Sequence, residues 1–221
     1  TRYWRDWSSD VCSSDLYKRF HKYQVFYAPI LYMFYSFYWM FIIDFKLFFK
    51  KDICNLHDIN HPPKEWLVLF TTKLFYIFYM IILPWTFTHY TLLNVIAFFL
   101  IMHMAAGLLL SFVAVMGHFV EGPIFPDATS GIIDNSWSEH ELEATIDFAP
   151  KSKIVNWITG GLNTHVAHHL FPSICHVHYY DLTRIIENYC IENNYQYKKE
   201  SLWDGLKSHF RFLKKLANPA L

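Results

Sequence analysis

The most prominent pattern in the chain is an uncharged run in its middle. Between Lys73 and Glu121, 47 consecutive residues include no Asp, Glu, Lys or Arg. One helix of that length would measure about 70 Å, more than twice the roughly 30 Å hydrocarbon core of a bilayer. The run therefore predicts two membrane-spanning helices.

A break separates the two predicted spans. Residues 84–91 combine a proline with hydroxyl and aromatic side chains, which favours an interfacial turn. We expect spans at about Trp66–Leu83 and about Leu92–Gly117, which form a membrane hairpin at about 66–117. The turn carries no positive charge, whereas lysines flank the hairpin, so the positive-inside rule predicts that both ends are cytoplasmic. These lysines are Lys50, Lys51 and Lys64 before the hairpin and Lys151 and Lys153 after it.

An earlier apolar stretch, Val25–Ile43, is long enough to cross a membrane but is dominated by Tyr, Phe and Trp. Such a composition suits an interfacial or tilted segment as well as a full span. Both alternatives stay open at this point.

Lys73 lies one to two turns inside the first predicted span. Its ammonium group could extend to the cytoplasmic interface, or it could meet an anionic group of a ligand. We favour the interface.

Two amphipathic helices are predicted near the C-terminus. Asp181 can cap a helix with an apolar stripe formed by Leu182, Ile185, Ile186, Tyr189 and Cys190. A second helix follows Ser201, with Leu202, Leu206, Phe210 and Leu213 on its apolar stripe and Lys207, Arg211, Lys214 and Lys215 off it. This second pattern predicts a helix that lies on an anionic membrane surface.

The composition supports a membrane protein and excludes other classes. Hydrophobic residues are 53% of the 221 residues and charged residues only 17%, where soluble domains have roughly 25% charged. Basic and acidic residues balance at 19 each, so no nucleic-acid partner is expected. The four cysteines have no CxxC spacing, which argues against a disulfide framework or zinc ribbon. The 13 histidines are the feature that function must explain.

The first 16 residues differ from the rest of the chain. Residues 6–16 are polar, rich in Ser and Asp and aperiodic, and they resemble the translation of a sequencing-library adapter. We expect residues 1–16 to be non-native and the biological sequence to begin near Tyr17, with an earlier part missing.

A histidine cluster gives the strongest chemical signal. His165, His168 and His169 stand at positions i, i+3 and i+4, so a helix would direct all three imidazoles to one side. Imidazole suits zinc, copper, iron and nickel, so this spacing predicts a metal site without selecting the metal. His118 ends the second span on the same predicted side and is a further candidate ligand. His103, near mid-span, is expected to pack or form a hydrogen bond.

Other histidines have weaker signals. His176 and His178 follow the cluster closely, and we expect them to orient the ligands as hydrogen-bond partners, or one of them to be a ligand. His140 precedes a glutamate as in the HExxH zinc motif, but Ala144 occupies the second histidine position, so we exclude that motif. Cys175 is expected to be inert.

Together these segments resemble the C-terminal part of an integral-membrane fatty acid desaturase, especially the bacterial acyl-CoA or acyl-lipid type. The resemblance covers residues 17–221, and the ordered combination of motifs is far more specific than HxxHH alone. The motifs are Gly160–Asn163, the HxxHH box His165–His169, Leu170–Pro172, Cys175–Tyr179 and the span end His118–Glu121.

The resemblance implies an all-α integral-membrane fold, in which a transmembrane helical hairpin is followed by cytoplasmic helices, at 118–221, that carry a histidine-box metal site. It implies two non-haem iron ions that use dioxygen and two electrons to desaturate an acyl chain. The implied ligands in this chain are His118, His165, His168 and His169. The implied partners are membrane lipid, a fatty acyl-CoA or acyl-lipid substrate, and a separate electron donor such as ferredoxin or a small cytochrome. His165 stands where many front-end relatives have Gln, which favours the acyl-lipid or methyl-end type.

Two departures from the family pattern limit this expectation. The first two histidine boxes of the family should precede Tyr17, and nothing in the chain replaces them. His57 and His61 have HxxxH spacing, but they lie beside two prolines after the wrong segment, so we interpret them as a coincidence in a loop. We therefore expect the chain as written to be inactive.

Two alternative functions stay open. A related membrane di-iron hydroxylase or monooxygenase would share the same boxes. A non-catalytic metal-binding or haem-binding membrane protein could use His103 and His118, 15 residues apart on one span, as axial ligands.

Overall fold

The computed structural model describes residues 18–52, 57–124 and 136–218, and these residues are mostly helical. The predicted non-native segment 1–16 lies outside the described residues. The α-helices are Gln24–Met33, Tyr35–Tyr38, Asp44–Phe48, Pro63–Ile77, Leu83–Phe87, Leu92–Met116, Trp137–Ala144, Lys153–Thr159, His165–Leu170, Tyr179–Glu192 and Leu202–Leu216. Arg19–Tyr23 and His176–His178 are 3-10 helices, Trp39–Ile43 and Phe78–Ile82 are π-helical, and Asp147–Phe148 and Lys199–Glu200 are strands.

The chain divides into two compact units. One comprises residues 29–110, and the other comprises residues 18–28 with residues 111–218 among those described. The two units meet between residues 110 and 111. The predicted boundary between the hairpin and the histidine-box region lies seven residues later, between residues 117 and 118. The last turns of the second span belong to the unit that holds the histidine box.

Two helices are long and apolar enough to cross a membrane, as the uncharged run predicts. They are Pro63–Phe87 and Leu92–Met116, with 25 residues each. We call them the first and second spans. The first begins three residues earlier than predicted because Pro63 starts the helix, where its missing N–H costs nothing. Lengths and hydropathy of this kind identify a membrane protein.

His103 ties three helices of the first unit together. Its Nδ1 lies 2.8 Å from the hydroxyl of Ser36, and its Nε2 lies 2.8 Å from the hydroxyl of Tyr76. The residue is buried and its ring packs against Phe37 at 4.3 Å between centroids. The predicted packing and hydrogen-bonding role is therefore confirmed.

The hydrogen bond between Ser36 and His103 helps to place the aromatic segment that precedes the hairpin. That segment forms two helices, Arg19–Met33 and Tyr35–Phe48, bent by 57° at the break. Ser36 belongs to the second of them and lies beside His103, in the middle of the second span. A hydrogen bond at mid-span favours a membrane-embedded position over an interfacial one for Tyr35–Phe48.

Lys73 has a protein partner that the sequence analysis does not name, and its placement at the cytoplasmic interface stays a prediction. Its ammonium group forms a short ion pair with the carboxylate of Asp44, and its side chain is only 17% exposed. An ionised group inside a membrane helix is stabilised when it pairs with an opposite charge. Asp44, which the sequence marks only as the end of the aromatic stretch, supplies that charge.

In the second unit, the helix Tyr179–Glu192 forms part of the core. Ile186 and Cys190 of the predicted apolar stripe are buried, as is Tyr179 outside it, whereas Ile185 and Tyr189 of the stripe are exposed. The predicted cap at Asp181 is wrong: the helix begins two residues earlier, and Asp181 lies in its first turn. Its negative charge there still complements the positive end of the helix dipole.

The helix Leu202–Leu216 begins where predicted, since the Ser201 side chain accepts a hydrogen bond from the backbone N–H of Asp204. Its apolar stripe, however, packs against protein. Leu206 joins the cluster of Val113, Met116 and Phe148, Phe210 lies 6.3 Å from the ring of Phe112, and Leu213 is buried. Three of the four stripe residues therefore pack against protein, although Leu202 is 40% exposed, and the placement of this helix on a membrane surface stays a prediction.

Cysteine labelling tests the predicted orientation of the hairpin. In a background with the four native cysteines replaced by serine, we expect Thr88→Cys to react with an impermeant maleimide from outside the cell. Lys151→Cys should react only in inverted vesicles, because the charge asymmetry retains both hairpin ends in the cytoplasm. Both positions are exposed in the structure, so burial does not protect either one. The reverse labelling pattern would contradict the orientation.

Candidate metal centre

Three imidazoles converge on one point in the second unit. The Nε2 atoms of His118 and His165 are 2.9 Å apart, those of His118 and His169 are 3.1 Å apart, and those of His165 and His169 are 3.2 Å apart. Among the described residues, these three form the group of His, Cys, Asp and Glu side chains that could hold a metal ion. The sequence prediction of a metal site from His118 and the histidine box thus has a geometric counterpart.

Two elements bring these nitrogens together. The box residues occupy the helix His165–Leu170, which we call the box helix, and the i, i+4 spacing places His165 and His169 on one face. His118 lies in the turn that follows the second span. Gly117 permits the approach, because a Cβ atom at this position would lie 2.5 Å from Cδ2 of His165.

Each imidazole is held by its other ring nitrogen. Nδ1 of His118 lies 3.2 Å from the carbonyl oxygen of Ala144, and Nδ1 of His165 lies 3.2 Å from that of Leu162. Nδ1 of His169 lies 2.7 Å from the carboxylate of Glu141. Since these partners only accept hydrogen bonds, each Nδ1 carries a hydrogen, and in a neutral imidazole the Nε2 atom then presents its lone pair.

The pKa values of His118 and His165 are lowered, so both rings keep a free lone pair on one nitrogen near neutral pH. Burial, followed by the neighbouring His169, lowers the pKa of His118 to about 4. Burial and the charge of His118 lower the pKa of His165 well below its ordinary value. Both imidazoles are therefore neutral near pH 7.

A metal ion fits this donor set. When the imidazoles are neutral, three Nε2 atoms that face one another have no hydrogen-bond donor among them, and an unsatisfied buried acceptor costs about 1–3 kcal/mol. The centre of their triangle is about 1.8 Å from each nitrogen, close to the roughly 2.0–2.1 Å of a zinc–imidazole bond. Neutral imidazole is a ligand for iron as well as for zinc and copper.

A buried carboxylate fixes the start of the box helix. Asp147 accepts a hydrogen bond from the backbone N–H of Val166 at 2.8 Å and a short one from the hydroxyl of Tyr197. Burial raises the pKa of Asp147 to about 6, although these hydrogen bonds oppose the shift. The strand of Asp147 pairs in parallel with Lys199–Glu200, so the C-terminal part of the chain supports the box helix.

The turn before the box explains its two glycines. Gly160 and Gly161 have φ angles of 61° and 83°, in the left-handed region that favours glycine. The fully buried Asn163 then closes the turn. Its amide donates to the carbonyl of Ala149 at 3.2 Å and its oxygen accepts from Asn156 at 3.0 Å.

His168 is not brought into the cluster. Its ring lies 5.6 Å from that of His165 and 5.5 Å from that of His169, and its Nδ1 is 3.5 Å from the hydroxyl of Tyr179. Burial, and then His169, lower its pKa. Its predicted ligand role stays a prediction.

His176 and His178 are exposed, as is Cys175. The three Nδ1 partners of the cluster are Glu141 and two backbone carbonyls, so the orienting role predicted for His176 and His178 has no counterpart at these three imidazoles and stays a prediction for the rest of the site.

Glu141 is the functional candidate that the sequence analysis missed. Glu141 follows His140 in the segment that superficially matches the HExxH zinc motif. Once that motif is excluded, the sequence pattern assigns no role to Glu141. A usable signal was present: Ser136 and Glu139 have the spacing of a capping box, which predicts a helix start just before Glu141. Nothing in the local pattern shows, however, that this glutamate is buried.

His57 and His61 lie in the other unit, each beside its own carboxylate. Nδ1 of His57 is 3.2 Å from Asp52, and Nδ1 of His61 is 2.6 Å from Glu65. Neither belongs to the cluster, in agreement with their interpretation as a coincidence.

Comparisons with known proteins identify relatives of the chain. The sequence model of the family described as fatty acid desaturase matches residues 2–201. The chain is 32% identical over 198 residues to an acyl-lipid (8-3)-desaturase of Physcomitrium patens, with 89% of this chain and 41% of the relative covered. It is 31% identical to an sn-1 linoleoyl-lipid 6-desaturase of Arthrospira platensis, with 92% of this chain and 55% of the relative covered. It is 34% identical to an sn-1 linoleoyl-lipid 6-desaturase of Synechocystis, with 87% of this chain and 54% of the relative covered. The chain thus spans about half the length of these relatives. No solved structure matches it.

A single methyl group at Gly117 should disrupt the cluster. In Gly117→Ala, the new Cβ would collide with the His165 ring, so we expect the affinity of the solubilised chain for Co²⁺ to fall at least tenfold. The measurement is a titration followed by the visible absorption of Co²⁺. Gly205→Ala is the matched control, because its nearest neighbours would lie at 3.7 Å. Equal affinities of both variants and the wild type would refute the arrangement.

Proposed function

Because the chain belongs to the fatty acid desaturase family, we propose that the complete protein is a membrane-bound oxidoreductase that introduces a double bond into a fatty acyl chain. The observation that supports this proposal most directly is the convergence of His118, His165 and His169 just beyond the end of a membrane span. An acyl tail is apolar and its head group is polar, so a site at the end of a span suits such a substrate.

Desaturation needs chemistry that side chains do not have. An unactivated methylene group gives up hydrogen only to a strong oxidant, and bound iron would supply it from dioxygen with two electrons from a separate donor. The chain's own contribution is ligation and orientation. His118, His165 and His169 bind through Nε2, while their Nδ1 partners fix the ring directions.

In the proposed di-iron centre, this chain contributes a different number of ligands to each of the two iron ions. The three converging imidazoles provide ligands for one ion, and His168, whose ring lies outside the triangle, is proposed as a ligand of the second. The second ion then needs further ligands, which agrees with the expectation that this chain is inactive by itself.

The names of the relatives guide the choice of substrate. They include acyl-lipid and linoleoyl-lipid desaturases, which supports an acyl lipid over an acyl-CoA substrate. The double-bond positions in the names of these three relatives are 8-3 and 6, so they give no support to the methyl-end type. We place the active site on the cytoplasmic face of a multi-pass protein, such as one of the bacterial inner membrane, with ferredoxin or a small cytochrome as electron donor.

The structure argues against the haem-binding alternative, in which His103 would be an axial ligand. Both ring nitrogens of His103 are engaged, one with Ser36 and one with Tyr76, so neither is available as an axial ligand. A hydroxylase or monooxygenase with related boxes is distinguished by its product, which would carry a hydroxyl group instead of a double bond.

Histidine variants of the complete protein test this function. We expect His118→Ala and His169→Ala to lower bound iron and double-bond formation at least tenfold, because each removes one of three converging donors. His57→Ala and His61→Ala should leave both unchanged, since these residues lie outside the cluster. Iron is measured by metal analysis and the product by gas chromatography of fatty acid esters. Full iron content and turnover in the His169 variant would remove the central claim.

A further inference from the structure

We propose that Glu141 is a positioning residue of the metal centre, acting through His169. The inference rests on the proposed function, because it assumes that a metal ion binds at the three Nε2 atoms. It adds a carboxylate to a site whose sequence signature consists of histidines alone.

The contact itself is short, and its carboxylate is buried while the His169 side chain is 28% exposed. The carboxylate of Glu141 lies 2.7 Å from Nδ1 of His169, and the Glu141 side chain is only 4% exposed. The remaining side of the imidazole, Nε2, faces His118 and His165. The imidazole therefore bridges the carboxylate and the proposed metal position.

This contact distinguishes His169 from the other two ligands. His118 and His165 donate to neutral carbonyl oxygens at 3.2 Å, whereas His169 donates to an anion at a shorter distance. A charge-assisted hydrogen bond is roughly twice as strong as a neutral one. It also raises the basicity of the opposite ring nitrogen, so His169 becomes the strongest of the three donors.

The burial of Glu141 also favours a cation at this place. A buried carboxylate is costly unless an opposite charge compensates it. Among the described residues, Glu141 forms no ion pair with a lysine or arginine, and its partner is the imidazole of His169. A metal ion bound at Nε2 supplies compensating positive charge through the ring.

The helix Trp137–Ala144 holds this carboxylate and reaches a second ligand. A capping box between Ser136 and Glu139 defines its start, and Leu142 packs into the core. Its last residue, Ala144, provides the carbonyl that accepts the hydrogen bond of His118. One short helix therefore orients two of the three converging imidazoles.

The test compares Glu141→Gln with Glu139→Gln in the solubilised chain, with Co²⁺ as the probe. Glutamine retains the size and an acceptor oxygen but loses the charge, and Glu139→Gln keeps a residue that completes a capping box. We expect Glu141→Gln to weaken Co²⁺ binding about 10–100-fold and to shift the visible absorption band at saturation. Glu139→Gln should change neither quantity.

A double-mutant cycle separates positioning from direct ligation. If Glu141 acts through the imidazole, Glu141→Gln has no further effect on affinity in a His169→Ala background. Additive losses would overturn the inference in favour of an independent ligand, and unchanged affinity and band in Glu141→Gln would also overturn it. A wild-type chain that binds no Co²⁺ would instead refute the metal site itself, and the inference with it.

Discussion

The candidate centre depends on one constraint: three imidazole nitrogens, of one buried and two half-buried histidines, must point at the same place. When the three rings are neutral, nothing within the cluster donates to these nitrogens, because the hydrogens of His118, His165 and His169 are bound to acceptors at Nδ1. The arrangement is costly for an empty polar cavity and favourable around a cation. Packing in the rest of the second unit has to maintain it.

That packing acts mainly on the box helix, which has six residues and cannot be stable alone. Asp147 binds its first turn, Asn163 closes the turn that precedes it, and Val166 and Ala167 bury its opposite side in the core. The metal-binding face is therefore held by contacts on the other faces. The C-terminal strand and the hydroxyl of Tyr197 contribute through Asp147.

The sequence predicts what depends on local periodicity. The uncharged run locates both spans within three residues at their starts, and the i, i+4 spacing places His165 and His169 together. It fails where tertiary contacts decide. The stripe of Leu202–Leu216 shows which face is apolar but not that Met116 and Phe148 cover it. Similarly, nothing local distinguishes the buried Glu141 from the neighbouring half-buried Glu139.

The histidines themselves show how function can be separated from structure. His103 is buried, yet both of its nitrogens have partners, so it serves to tie helices together. His118, His165 and His169 are each satisfied at one nitrogen and face only each other at the second. Burial alone does not mark a ligand, since His103 is as buried as His165. The distinguishing property is a ring nitrogen that points at other ring nitrogens instead of at a donor, an arrangement that a bound cation stabilises.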